Sequence, residues 1–218
     1  MLNPLVRLVD DDEDLIRANA FILQINNFEV AQFSSTEEFL AKDDTQRPGC
    51  IFLDIRMEGM SGLECLQELK RRNSDLPIAF ITGYAEVETA VWALKSGACE
   101  FLQKPVTAEK LVKTCKTLVE WNVQKRLEKI SKEKACERLA SLSLREKEVA
   151  KLVAQGYSNK KIAQLLQVSE QNIKFHRSNI YKKLEIHSAV KIYELFELCS
   201  VPADDLLRTV KVISPENL

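Results

Sequence analysis

Four short apolar runs in the first half of the chain each end in a polar group, two of them in carboxylates, one in a hydroxyl and one in an ammonium, and this limits the fold more than any other feature. The central one is Ile51-Phe-Leu-Asp-Ile-Arg-Met-Glu-Gly-Met-Ser-Gly62. Ile51, Phe52 and Leu53 read as a buried strand after Gly49, and Asp54 stands where that strand ends. Gly59, Ser61 and Gly62 then break the chain and let a helix begin. Leu5-Val-Arg-Leu-Val9 runs into Asp10, Asp11 and Asp12. Ile78-Ala-Phe-Ile81 runs into Thr82-Gly83, and Cys99-Glu-Phe-Leu102 leads to Lys104-Pro105. In open α/β sheets, ligands bind outside the carboxyl ends of the strands. Acids, a hydroxyl and an ammonium are therefore expected around Asp54 at one edge of one sheet.

The segments between these strands read as helices. One is expected over about 13–26, with Leu15, Ile16, Ala20, Phe21, Leu23 and Ile25 on its buried side. Phe28–Gln32 reads as a short strand. Ser35-Thr-Glu-Glu38 and Ser61-Gly-Leu-Glu64 are capping boxes that open helices. A helix over about 85–96 stops at Gly97, and another starts near Thr107. Alternating strands and helices predict a five-stranded, doubly wound parallel sheet of the flavodoxin-like kind.

The second half differs. Residues 107–138 lack Pro and Gly and are rich in Lys and Glu, so the last helix is expected to run on as a linker. Val123, Leu127 and Ile130 hint at a seam too short for a coiled coil. From Leu142 the pattern is purely helical. Ser143-Leu-Arg-Glu146 is a third capping box, and Ser158, Ser169 and Ser188 are candidate caps of three further helices. Two helices joined at Val168-Ser169 suggest a helix-turn-helix. The expected divisions are a domain over 1–120, a helical linker over 121–138, an all-α four-helix domain over 139–203 and a tail over 204–218.

Charge supports this division. Residues 1–120 carry 13 Lys and Arg against 20 Asp and Glu; residues 121–218 carry 18 against 12. A basic second half suits a polyanionic partner. No apolar run reaches transmembrane length, and no signal-peptide pattern is seen, so a cytoplasmic chain is expected. The six cysteines, at 50, 65, 99, 115, 136 and 199, show no Cys-x-x-Cys pair. Free thiols, with neither disulfide nor zinc site, are expected.

A carboxylate can attack phosphorus and form an acyl phosphate. Bringing a phosphoryl dianion to it requires neutralisation, which a hard divalent ion such as Mg2+ supplies. Asp10, Asp11 and Asp54 could hold one, Lys104 could pair with a phosphoryl oxygen and Thr82 could hydrogen-bond another. Asp43 and Asp44 have no partner motif and read as a solvated loop.

On the third expected helix of the second half, Ile173, Ile180 and Leu184 share one face, flanked by His176 and Arg177. Gln171, Lys174, Phe175, Ser178 and Lys182 share the other. Phe175 on that face suits either packing against a neighbour or contact with thymine methyls, and the second is favoured; Lys174 or Gln171 would reach base edges. Lys160, Lys161, Lys182 and Lys183 suit phosphate contacts. His176 has no second ligand nearby and reads as structural.

Taken together, Val9-Asp-Asp11, Asp54-Ile-Arg-Met57, Met60-Ser-Gly62, Ile81-Thr-Gly83, Ala98-Cys-Glu-Phe101 and Lys104-Pro105 resemble response-regulator receivers, the FixJ-like ones most, over about residues 3–120. Leu144-Arg-Glu-Lys-Glu-Val149, Gly156-Tyr-Ser-Asn-Lys160, Ile162-Ala163, Val168-Ser169, Ile173–Ile180 and Lys183-Leu184 resemble the LuxR-type helix-turn-helix domain of NarL/FixJ regulators, over about 139–199. The resemblance implies Asp54 as phosphoacceptor, Asp11 as a metal ligand, Asp10 as a ligand through water, and the Arg56 backbone carbonyl as a further ligand. It implies Thr82 and Phe101 as a switch pair, and an activated face formed by the helix over 85–96, the 99–102 strand and the helix after Thr107. It also implies a recognition helix in the major groove and a dimer contact on the last helix, with Ile192, Leu195 and Phe196 as candidates.

Such a chain would be a cytoplasmic transcriptional regulator rather than an enzyme. A histidine kinase would phosphorylate it with Mg2+, and this would promote homodimerisation or release of the DNA-binding domain. It would bind double-stranded promoter DNA, with RNA polymerase as a further partner. Two departures stand out. Glu58 replaces the family's usual proline and is expected to free the loop, and Tyr84 would screen an attacking water. Three alternatives compete. An aspartyl-phosphate enzyme would need an acid/base carboxylate at the position of Arg56. A phosphorylation-independent regulator is supported only by Glu58. An RNA-binding antiterminator would need another output domain.

Overall fold

The computed structural model describes residues 3–83, 95 and 97–199. The expected helix over 85–96, Tyr84 and the tail over 204–218 lie outside the described residues. The chain divides into two compact units, Met1–Leu127 and Glu128–Leu218.

The first unit alternates β1 (Leu5–Val9), α1 (Glu13–Ile25), β2 (Val30–Phe33), α2 (Thr36–Lys42), β3 (Gly49–Leu53), α3 (Gly62–Arg71), β4 (Ile78–Thr82) and β5 (Glu100–Gln103). The helix α4 (Ala108–Ala140) follows and is continuous for 33 residues. All strand pairs are parallel, in the order β2-β1-β3-β4-β5. The order reverses between β1 and β3, which makes their carboxyl ends the crevice where a doubly wound sheet binds ligands.

Side chains on a strand alternate between its two faces, so this sheet builds a core on each. Val6, Leu8, Phe52, Ala79, Ile81 and Leu102 pack with Ile16, Ala20 and Leu23 of α1 and Leu111, Cys115 and Leu118 of α4. Val9, Ile51, Leu53 and Phe80 pack with Phe39 of α2 and Cys65, Leu66 and Leu69 of α3. The middle strands β3 and β4 are buried at every residue, as an apolar run covered on both sides should be.

Several expectations are corrected here. Phe21 and Ile25 on α1 are 64% and 62% exposed, because the face that the helix buries is that of Ile16, Asn19, Ala20 and Leu23. The second strand begins at Val30 rather than Phe28. In keeping with a linker helix, no continuous seam forms: Val123 packs on the core, but Leu127 and Ile130 are exposed. Asp43 is not solvated: it pairs with buried Arg7, Nε to Oδ1, at 2.7 Å. Arg7 also donates to the carbonyls of Leu5, Asp44 and Arg47, which satisfies a guanidinium within the sheet.

The second unit contains the end of α4, then α5 (Leu144–Ala154), α6 (Asn159–Leu165), α7 (Glu170–Leu184) and α8 (Ala189–Leu198). Ser143 and Glu146 form the full reciprocal capping box of α5. Ser158 and Ser169 cap α6 and α7 through their side chains. Ser188 makes no such bond, contrary to expectation. Val149, Val153, Ile162, Ile173, Ile180, Leu184, Ile192 and Phe196 form the core.

Cys136 and Cys199 are joined by a disulfide with Cα atoms 5.6 Å apart, which corrects the expectation of six free thiols. The pair is 63 residues apart in sequence, and only the return of α8 to the end of α4 brings the two sulfurs together. Cys50, Cys65, Cys99 and Cys115 are free.

Candidate functional site

The expected acidic site assembles at the carboxyl ends of β1 and β3. The parallel register sets Val9 beside Leu53, so the residues that follow them, Asp10 and Asp54, emerge together. The Asp54 N–H donates to the Val9 carbonyl at 2.9 Å, which extends the ladder to the site. Carboxylate oxygens of Asp10, Asp11 and Asp54 lie within 4.8 Å of one another. Asp10 and Asp54 are buried and Asp11 is exposed. Asp12 caps α1 by accepting from Asp14 N and Leu15 N, so the acids after β1 divide between site and cap.

Lys104 completes the constellation from the end of β5. Its Nζ lies 2.7 Å from Asp10 Oδ2 and 3.4 Å from Asp54 Oδ1. Its backbone N–H donates to the Thr82 carbonyl. Thr82 ends β4 and is 1% exposed, while Phe101 on β5 packs against the α2–α3 core. Gly62 opens α3 where a Cβ would lie 2.0 Å from the Asp54 carbonyl oxygen, so only glycine admits this approach.

Burial raises the Asp54 pKa above the ordinary carboxylate range; the Lys104 charge opposes this and the Asp10 charge adds to it. Burial alone would lower the Lys104 pKa, but its hydrogen bond to Asp10 and the two carboxylate charges outweigh that and raise it. Asp54 Oδ1 is buried without a hydrogen bond among the described residues and has only the 3.4 Å ion pair with Lys104. Three converging carboxylates with one unsatisfied buried oxygen are the hard donor set that suits a small divalent cation. Behind them, buried Asn19 of α1 helps line a cavity of about 10 Å³, close to the room one water needs. Asn19 was not anticipated; a polar residue on the apolar side of α1 was its only signal.

The segment containing Glu58 is fastened by α2: the Met60 N–H donates to Glu37 Oε1 and the Met60 carbonyl accepts from Thr36 Oγ1. Thr36 and Glu37 are thus site neighbours that sequence spacing missed.

In the second unit, Lys160, Lys161, Gln171, Lys174, Phe175, Ser178 and Lys182 are all exposed, as expected of a nucleic-acid face. Phe175 is 61% exposed. Arg177 links α7 to α6, donating to Asn159 Oδ1 and to the Tyr181 hydroxyl. Lys183 instead forms an ion pair with buried Glu146 at 2.7 Å. The expected dimer contacts are corrected in part: Ile192 and Phe196 belong to the core and Leu195 packs against it. The exposed apolar residues of α8 are Val190, Tyr193 and Leu198.

Comparison with known proteins agrees with both halves. Residues 6–116 match the response regulator receiver domain, and residues 140–196 match the luxR family of bacterial regulatory proteins. The chain is 34% identical over 192 residues to the response regulator protein TodT of Pseudomonas putida strain F1, covering 88% of this chain and 85% of that one. It is 32% identical over 205 residues to the transcriptional regulatory protein FixJ of Azorhizobium caulinodans, covering 94% and 97%. Among solved structures, the response regulator StyR superposes with a TM-score of 0.82 at 34% identity, covering 89% of this chain and 98% of that one. The match to these relatives thus extends along nearly the whole chain. The protein belongs to the NarL/FixJ family of response regulators and is a DNA-binding transcriptional regulator of the two-component type.

Proposed function

We propose that Asp54 accepts a phosphoryl group from a histidine kinase and that this event controls assembly of the chain on promoter DNA. The meeting of Asp10, Asp11, Asp54 and Lys104 at one crevice carries this reading. An Asp54 carboxylate oxygen attacks phosphorus, the bond from phosphorus to the kinase histidine breaks, and an acyl phosphate forms. Asp11 and Asp54, the Arg56 backbone carbonyl, and Asp10 through water would hold Mg2+, which supplies charge neutralisation when bound. Lys104 would release Asp10 or Asp54 to pair with a phosphoryl oxygen, and the Thr82 hydroxyl would hydrogen-bond another. Phe101 would follow Thr82 inward and carry the change to the β5 surface. Phosphorylation favours the dimer because it interacts differently with the two states.

On this reading the chain receives a phosphoryl group and is not an enzyme acting on an outside substrate. The exposed face of α7 reads base edges through Gln171, Lys174, Phe175 and Ser178, and Lys160, Lys161 and Lys182 contact phosphates. RNA polymerase is a further partner at the promoter, and a cytoplasmic setting suits both kinase and DNA.

Intact-mass spectrometry after incubation with acetyl phosphate and Mg2+ tests the phosphoryl step. One phosphoryl increment is expected on the parent chain, none with a chelator and none on Asp54→Asn. An increment that persists on Asp54→Asn, or one that never appears on the parent chain, would contradict it.

A further inference from the structure

The connection from Asp54 to Ser61 carries the nucleophile and the Arg56 carbonyl, yet it contains Gly59 and no proline to stiffen it. Its fastening comes from outside. Met60 has both backbone polar groups taken by consecutive residues of α2: its N–H donates to Glu37 Oε1 at 2.8 Å, and its carbonyl accepts from Thr36 Oγ1 at 2.8 Å. The Thr36 hydroxyl also lies 3.1 Å from Glu37 Oε2, which ties the two side chains to each other. Thr36 is fully buried, whereas Glu37 is at the surface.

Gly59 has φ of 82°, and a Cβ on it would lie 2.7 Å from Glu37 Oε1, so the backbone runs directly beneath the carboxylate. The Met60 amide, with the other bonds Glu37 accepts, holds that carboxyl below its usual range. At its far end the connection is closed by Gly62 N–H donating to the Ile55 carbonyl and by the Ser61–Glu64 capping box. At its near end the Arg56 N–H donates to Asp54 Oδ2 at 3.2 Å. Of these hydrogen bonds, the pair from α2 reaches beyond β3 and α3.

We propose that Thr36 and Glu37 are positioning residues for the phosphoryl site: by fixing both backbone groups of Met60 they hold the connection that presents the Arg56 carbonyl and Asp54. This rests on Asp54 being the phosphoryl acceptor in a divalent-cation site. Neither residue touches the reacting atoms. Their role is to stiffen, by hydrogen bonds from a neighbouring helix, a connection that contains Gly59 and no proline. Groups that orient metal ligands from outside typically change affinity for the ion when removed.

The test uses the full chain and four variants: Glu37→Ala, Glu37→Gln, Thr36→Val and Thr36→Ser. Calorimetric titration with Mg2+ measures binding without any reaction, and phosphorylation by acetyl phosphate is followed across Mg2+ concentrations. Glu37→Ala and Thr36→Val are expected to weaken Mg2+ binding about tenfold. They slow phosphorylation at low Mg2+ and regain most of the rate when Mg2+ saturates. Glu37→Gln and Thr36→Ser keep the acceptor and the hydroxyl and retain parental values. Parental Mg2+ affinity and parental rates in Glu37→Ala would overturn the proposal, and this surface variant decides the matter even if Thr36→Val does not fold. A parent chain that takes no phosphoryl group at Asp54 would instead overturn the functional reading beneath it.

Discussion

Asp54 is a buried carboxylate whose surroundings disfavour its charge. Its pKa is raised, first by burial, so the folded chain binds a proton there more tightly than the unfolded chain does. The stability it contributes is therefore lost as pH rises from the unfolded carboxylate range through the raised value. At neutral pH without Mg2+, Asp54→Asn should resist urea better than the parent, by about 1 kcal/mol. Added Mg2+ should narrow that gap by stabilising only the parent. A variant less stable than the parent in Mg2+-free urea titrations would contradict this account. Asp54 was readable from sequence because a lone carboxylate after an apolar run, echoed at three other strand ends, has few competing explanations. Asp43 was not. Its partner Arg7 stands 36 residues away, on a strand otherwise made of apolar residues, and no local pattern announces such a pairing.

At the scale of elements, capping serines marked helix starts well because the cap bond is local: Ser35, Ser61, Ser143, Ser158 and Ser169 all accept from a backbone amide. Which face of a helix is buried was harder to read. The α8 pattern offers apolar residues on more than one side, and only packing against α5 consigns Ile192 and Phe196 to the core. Packing of α5 against α7 explains Glu146, which caps α5 and accepts from Lys183 of α7. Its hydrogen bond to Lys183 is the main cause of its lowered pKa. A depressed carboxyl stabilises above the unfolded pKa, and that contribution is lost as pH falls through the lower, folded value. Denaturation monitored at pH 7 should show Glu146→Gln less stable by about 1–2 kcal/mol. The difference should shrink in acid below about pH 4, and a gap that widens there would contradict the assignment.

The Cys136–Cys199 bridge belongs to the same scale, since it closes α8 onto the end of α4. A loop of this length corresponds to about 4 kcal/mol in chain-entropy terms. Thermal melting of the second unit's signal should fall on adding reductant, and Cys199→Ser should melt like the reduced parent under both conditions. An unchanged melt on reduction would mean the bridge adds no stability. Widely separated cysteines with no motif spacing gave no warning of it.

For the whole molecule, the charge asymmetry between the two halves organises what each meets. The acidic half concentrates three carboxylates against one lysine at the crevice. The basic half exposes Lys160, Lys161 and Lys182 beside the outer face of α7. Phosphate contacts set affinity and base contacts set preference. Replacing any one of these lysines with Ala should weaken binding to all DNA sequences alike and flatten the log–log salt dependence by about one unit. Phe175→Ala should instead shift which sequences are selected from a random pool, with the salt dependence kept. A lysine variant that changes selected sequence, or a Phe175 variant that changes only the salt slope, would reverse the assignment. The two-part fold and the crevice were legible because each rests on repeated local patterns. The fastening of Met60 by Thr36 and Glu37 was not, because it joins segments 23 and 24 residues apart.

If the Asp54 site governs association of the chain, light scattering with Mg2+, before and after adding beryllofluoride as a phosphoryl mimic, will register it. The parent chain should pass from monomer to dimer mass, only with Mg2+, and Asp54→Asn should remain monomeric. A parent that stays at monomer mass while fluorine resonances show beryllofluoride bound, or an Asp54→Asn chain that dimerises equally, would contradict it.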